Sequence, residues 1–298
     1  LADGTLYIVA TPIGNLEDIT LRALRILKEV DYIAAEDTRH SLKLLNYYGI
    51  VKPLISYWSE REKVKAEEII AKLREGLSVA VISDAGTPGI SDPGAVVISR
   101  AIEEGLPVVP IPGPSALVAA LSVCSLPHEE FTFIGFLPSK EVQRQKKLVE
   151  LRHEPRTLIF YEAPHRLRAS LLDMEAIFGP REAAVIKEIT KLHEGLVKGT
   201  LPAVREALEH LTIAGEYVVL LDGSRKEGVT KTGSPESQRL FGVRMDEALS
   251  EIKYLMKKGR GRKEAVRIVS EEYSLSKNEL YDRSLGEASG HGEDNRRT

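Results

Sequence analysis

The 298-residue sequence predicts two consecutive α/β domains followed by a small helical extension. Short apolar and β-branched runs alternate with amphipathic stretches through the first 222 residues, which is the pattern of largely parallel sheets covered by helices. A rigid turn at Pro112, Gly113 and Pro114 interrupts the alternation near its middle, and the length suffices for two domains of ordinary size.

In the first domain, residues 1–112, strands are expected at 5–10, 31–35, 78–83 and 106–111, and helices at 19–29, 63–75 and 93–104. For the last helix, Asp92 reads as the N-cap with Pro93 at the first helical position, and Val96, Val97 and Ile102 as its buried stripe. The second domain, residues 113–222, is expected to hold a helix from Ser115, strands at 131–136, 157–162, 183–189 and 216–221, and helices at 140–151, 164–178 and 202–211. Residues 223–242 open on a Gly-, Ser-, Lys- and Glu-rich stretch without apolar period and read as a flexible linker. In the extension, residues 243–288, Met245, Leu249, Ile252 and Leu255 share one helical face, and Ser276 with Glu279 has capping-box spacing before Leu280 and Tyr281. So small a unit is expected to dock on its neighbours, and residues 289–298 to be disordered.

Lys and Arg total 41 against 44 Asp and Glu, so a polyanionic partner must be met by a local patch rather than a global field. The single cysteine, Cys124, leaves no internal disulfide and suits a reducing cytosol. Secretion and membrane spanning are not expected. The seven histidines form no His-Glu-x-x-His, and no metal is expected.

Ligands collect at the carboxyl ends of strands in open α/β sheets, and three such ends carry unusual loops. Residues 10–15 lack the glycines of a dinucleotide fingerprint and the Gly-Lys-Ser/Thr of an ATPase loop, leaving a ligand loop or a plain turn. Residues 83–94 hold three glycines and two prolines before the next helix, an irregular backbone suited to close approach by a nucleoside; Asp84 there is free to accept from hydroxyls or an amine. Residues 111–116 deliver Ser115 to a helix start but lack the closing glycine of a nucleophile elbow. Polar clusters at 36–39, 161–166 and 187–191 follow further strands and read as acid–base and phosphate-binding groups or as surface ion pairs. Lys257, Lys258, Arg260, Arg262 and Lys263 form a Gly-spaced basic turn, and Arg144, Lys146 and Lys147 a second basic candidate.

The segments 6–20, 34–39, 81–94, 111–116, 133–140, 157–167 and 186–195, taken in order, resemble the tetrapyrrole methylase superfamily, and within it the bacterial small-subunit rRNA cytidine 2′-O-methyltransferases. The basic C-terminal segment is similar to the helical extension of that group. The resemblance implies a cytoplasmic homodimer that binds S-adenosylmethionine between its two domains and methylates a cytidine ribose in 16S rRNA or the small ribosomal subunit. It implies cofactor contacts at Pro12, Asp84, Gly86, Ile90, Ser115, Ala116 and Tyr161, with Gly215 nearby. Residues 57–62 depart from the His- and Asn-rich stretch common in the family, which leaves their role open. As proton acceptors, Asp37 and Glu188 are the candidates, because each follows a strand, with Arg39 or Lys191 two or three residues on. Those two cations, Arg166 and the basic turn are the expected RNA contacts. Methylation of a tetrapyrrole, or RNA binding without catalysis, are the competing readings.

Overall fold

The computed structural model describes residues 3–58, 62–224, 235–273, 275 and 277–286. The chain divides into two compact units, Leu1–Ser224 with both sheets and Arg225–Thr298 with the terminal helices.

The first sheet is built from β1 (Leu6–Val9), α1 (Leu21–Glu29), β2 (Tyr32–Ala35), α2 (Thr38–Tyr47), β3 (Leu54–Ser56), α3 (Glu62–Arg74), β4 (Val79–Ile82), α4 (Ala95–Glu103) and β5 (Val108–Ile111). Its five strands are all parallel in the order β3-β2-β4-β1-β5. β4 is buried along its whole length because helices cover both faces, so it reads as an unbroken apolar run rather than an alternation. Ile69, Ile70 and Val97 pack on one face with Leu6 and Val79, while Ile26, Leu27 and Leu45 pack on the other with Val9 and Ile33.

The second sheet follows as α5 (Ala116–Val123), β6 (Phe131–Phe136), α6 (Glu141–Glu150), β7 (Thr157–Glu162), α7 (Leu167–Phe178), β8 (Glu182–Lys187), β9 (Gly195–Thr200), α8 (Leu201–Glu209) and β10 (Tyr217–Leu221). The strand order is β6-β7-β10-β8-β9, with β10 antiparallel to both neighbours. Period-two alternation divides β7: Leu158 and Phe160 enter the core beneath α7 and α8, and Ile159 and Tyr161 face the layer that contains α5. α5 therefore belongs to the second sheet, as expected from the turn at 112–114.

Three elements went unpredicted. α2 buries only Ser41, Leu44 and Leu45, too thin a stripe to read through its charges. β3 spans three residues, and β9 is an edge strand with a largely exposed Gly- and Lys-containing sequence. The expected start of α4 is also corrected. Its N-cap is Gly94, with no side-chain cap of its own. Glu62 Oε1 accepts from Gly94 N at 2.8 Å and Val96 N at 3.3 Å, and the Tyr57 hydroxyl accepts from Val97 N at 3.3 Å. Tyr57 in turn donates to Glu62 at 3.0 Å. Two residues of the departing 57–62 stretch thus cap α4 from outside, and Asp92 stands in the loop before it. Ile102 is exposed, and Ala101 takes its expected place in the core.

The terminal unit consists of α9 (Pro235–Lys257), α10 (Arg262–Tyr273) and α11 (Lys277–Gly286). α9 starts inside the stretch read as linker. Met245, Leu249 and Ile252 meet Ala265, Val266, Val269 and Leu280 in a small core of the unit's own. Residues 225–234 of the linker, Ser276 of the capping box and the tail at 289–298 lie outside the described residues.

Candidate active site

A cavity of about 550 Å³ opens where the carboxyl end of β4, the start of α5, the ends of β6 and β7, the connection after β8 and the start of β10 converge. Its volume lies within the range usual for small-molecule sites. The walls are largely apolar, from Ile13, Ile90, Leu117, Phe136, Tyr161 and Ile189, with Ser115, Asp92 and Glu216 among the polar groups. Of the expected cofactor contacts, Gly86, Ile90, Ser115, Ala116 and Tyr161 line it. Pro12, Asp84 and Gly215 do not; they stand one residue behind the wall, beside the lining residues Ile13, Ala85 and Glu216.

Local backbone chemistry shapes each wall. The loop after β1 is zipped to the loop after β4 by paired bonds between Thr11 and Gly86, at 2.9 and 3.1 Å. Gly86 has φ +80°, a conformation costly for any residue with a Cβ. Ser115 occupies the N-cap of α5 without capping it. The Leu117 amide of that helix's first turn donates to the Tyr161 hydroxyl at 3.1 Å. Phe133 and Phe136 meet the Tyr161 ring edge to face, at 5.0 and 5.7 Å. This fixes a flat aromatic wall.

The connection after β8 is held differently. Glu188 and Thr190 both adopt left-handed backbone, φ +53° and +67°, and place Ile189 in the cavity wall between them. The Glu188 carboxylate accepts from Glu216 N at 3.0 Å and from Lys191 Nζ at 2.9 Å. Gly215 is required by this brace, since a Cβ there would fall 2.2 Å from Glu188 Cδ. Lys191 lies beside Gly14, where a Cβ would come 2.4 Å from its Cγ, so the first loop of one sheet abuts this connection of the other.

The two expected proton acceptors lie outside the cavity lining, and both are tied to cations. Asp37 caps α2 through Arg39 N at 2.8 Å and pairs with the Arg39 guanidinium at 3.0 Å. Those bonds hold its carboxyl down at about 2. The Lys191 ammonium likewise holds the Glu188 carboxyl below the usual carboxylate range. A stabilised carboxylate is a poor base. A second acidic group behaves in the opposite way. Glu36, Asp84 and Asp92 converge at the ends of β2 and β4, where Asp84 accepts from Asp37 N at 3.1 Å. Burial, then the charge of Asp84, pushes the Asp92 carboxyl up, and burial with Asp92 and Asp84 does the same to Glu36.

A sequence model of the tetrapyrrole (corrin/porphyrin) methylases matches residues 5–205, which takes in the whole first sheet and most of the second. The chain belongs to the tetrapyrrole methylase family. Curated relatives named ribosomal RNA small subunit methyltransferase I include those of Halalkalibacterium halodurans, 41% identical over 93% of both chains, and Synechocystis, 43% identical over 95% of this chain and 98% of the relative. The relative from Xylella fastidiosa Temecula1 is 47% identical over 80% of this chain and 88% of its own. Among solved structures, uroporphyrin-III C-methyltransferase of Thermus thermophilus in complex with S-adenosylhomocysteine covers 74% of this chain and 98% of its own, with a TM-score of 0.53 and 21% identity. At that identity the likeness concerns the fold.

In this member of the family, several of the expected nucleic-acid contacts are already engaged. Arg166 is paired at 2.7 Å with Glu162, whose side chain is 1% exposed. Its guanidinium neutralises a buried carboxylate that also accepts from Ser170 Oγ at 2.5 Å. Arg144 is buried against Asp173 at 2.6 Å, which removes it from the second basic candidate. Lys191 serves Glu188 and Glu216. Arg39 reaches solvent although paired. In the terminal unit Lys257, Lys258 and Arg260 are exposed on the turn between α9 and α10, and Arg262 is half-buried at its end. Arg260 pairs with Glu264 at 2.7 Å, and Lys258 lies over the Tyr254 ring. Among the described residues, no cluster of His, Cys, Asp and Glu could hold a metal ion, and no helix is long and apolar enough to cross a membrane.

Proposed function

We propose that this protein is an S-adenosylmethionine-dependent methyltransferase that modifies the ribose 2′-hydroxyl of a cytidine in 16S rRNA, acting in the cytoplasm as a homodimer. The observation that carries the reading is the reach of the relatives named for small-subunit rRNA methylation. Those of Halalkalibacterium halodurans and Synechocystis match 93–95% of the chain, most of the terminal unit included, whereas the tetrapyrrole-modifying neighbour of known structure covers 74%. The homodimer is supported by edge strand β6, which has one neighbour in the sheet and leaves Phe131 exposed, and by Val123 exposed on α5.

The chemistry of the cavity fits a nucleoside carrying an amino-acid tail. Ile13, Ile90 and the Tyr161 wall suit a flat base, and the first-turn amides of α5 other than that of Leu117, which Tyr161 takes, suit a carboxylate. Glu216, exposed at the cavity edge, suits the positive charge of an ammonium or a sulfonium. When bound, S-adenosylmethionine supplies an electrophilic methyl group. The protein's task is to hold a ribose oxygen in line with it, exclude water and take the oxygen's proton. The exposed cations of the α9–α10 turn serve as phosphate contacts, with Arg39 as a further contact in the first unit.

The test is to incubate purified protein with labelled S-adenosylmethionine and with 16S rRNA, small subunits or a uroporphyrinogen in separate reactions, then identify modified nucleosides by mass spectrometry. The expected product is 2′-O-methylcytidine. Label in the tetrapyrrole, or RNA binding without turnover, overturns the reading. Sedimentation equilibrium checks the dimer.

A further inference from the structure

Three carboxylates line the cavity, and two of them are committed. Glu162 is neutralised by Arg166 and further held by Ser170 and the Ala163 amide. Glu216 is 72% exposed at its side chain and paired with Lys191 at 3.0 Å. Asp92 has no ion pair among the described residues, and the capping duty its sequence position suggests is discharged by Glu62 and Tyr57. Pro93 behind it is buried, which fixes the carboxylate at the edge of the irregular loop that forms the cavity floor. Its charged and titratable surroundings are Glu36 from the end of β2, Asp84 from the end of β4, Glu216 at the start of β10 and the Tyr161 phenol, none of them a cation.

We propose that Asp92 is the general base of the reaction. This rests on the functional reading above. In the step, the ribose oxygen forms its bond to the methyl carbon as the carbon–sulfur bond breaks, and the carbon–sulfur electron pair stays on sulfur as a neutral thioether. The hydroxyl proton passes to the Asp92 carboxylate and from there to solvent. A base in this position must be hard to ionise yet uncommitted, and Asp92 satisfies both conditions: burial and neighbouring negative charge push its carboxyl up, and no cation quenches it.

Asp92→Asn preserves size while removing the base. Single-turnover methylation of small subunits is expected to fall about 100-fold or more. Affinity for S-adenosylmethionine by calorimetry is expected to stay within about threefold. The wild-type rate should rise with pH to a plateau, and the variant should lose that limb. A second readout needs neither substrate nor turnover. A carboxyl whose ionisation is disfavoured in the fold costs stability once charged, so Asp92→Asn should melt above wild type by about 2 °C at pH 7.5, with the difference shrinking toward pH 4. Rates within threefold of wild type, a loss of rate explained by lost cofactor affinity, or a lower melting temperature at pH 7.5 each overturn the assignment. No methylation by the wild-type protein overturns the functional reading and this assignment with it, whereas an active wild type with an unaffected variant overturns the assignment alone.

Discussion

The connections after β4 and after β8 both bring carboxylates to strand ends, and they use them in opposite ways. After β8, Glu188 is locked by Lys191 and by the Glu216 amide, and its carboxyl is held low. After β4, Asp92 stands without a cation beside Asp84 and Glu36, and its carboxyl is pushed up. The first arrangement stabilises the fold through its charges; the second is destabilised by them. Unrelieved carboxylates concentrated at a cavity mark a place where stability has been given up for chemistry.

The sharpest test of that contrast is the most thoroughly neutralised carboxylate. Arg166→Ala leaves Glu162 buried without its cation and is expected to cost about 3–5 kcal/mol in urea denaturation, with Glu162→Gln in the same chain recovering part of the loss. A loss under about 1 kcal/mol would show that the pair is not a buried-charge device. Next in size, Gly215→Val forces a branched side chain onto the Glu188 carboxylate at a backbone φ of +86°. The expected loss is about 2 kcal/mol or more. On the other side of the comparison, Gly86→Val strains the Thr11 bridge and is expected to weaken S-adenosylmethionine binding about tenfold or more with the fold retained. Unchanged affinity in the folded variant would remove the β4 loop from the site.

Smaller effects separate the two carboxylates by sign. The Glu188 carboxyl is lowered in the fold, so its stabilisation is present above the unfolded value of 4.5 and is lost as pH falls through the lower folded value. Glu188→Gln should therefore melt below wild type at pH 7, by at most about 1 kcal/mol, and converge with it in acid. Asp92→Asn should show the reverse order. Matching signs for the two variants would break the contrast. Asp37→Asn is expected to do least, since its partner Arg39 is almost fully solvated; its melting temperature and single-turnover rate should stay close to wild type.

The same division between engaged and available charge separates the cations. Arg144, Arg166 and Lys191 are taken up by carboxylates inside the first unit, while in the second Lys257 and Lys258 remain exposed and Arg260 is exposed even in its pair with Glu264. All six looked alike as basic residues near turns or helix ends. Residue type reports charge, and burial with a partner decides whether that charge is available to RNA.

The order of strands and helices was legible because burial imposes its period on the sequence. The continuous apolar runs of β4 and β7 and the Met245–Leu249–Ile252 face all appear as such. Likewise Gly86, Ile90, Ser115, Ala116 and Tyr161 could be placed together, and they line the cavity, because family motifs and strand-end loops both lead to them. Local pattern could not decide how α4 is capped. Asp92-Pro93 is a helix-start signal by composition, and only the approach of Glu62 and Tyr57 from another part of the chain transfers the cap away from it. Nor could it decide that Glu188 is a brace and Gly215 the space it needs, since those residues are 27 positions apart and meet only through the pairing of β8 with β10. Periodicity is a property of one segment against solvent and core, so the sequence determined the elements with a strong apolar pattern and their layers, and missed α2, β3 and β9, where that pattern is thin or short. The ionisation and duty of each carboxylate depend on which distant groups come within a few ångströms, and tertiary structure alone decided that.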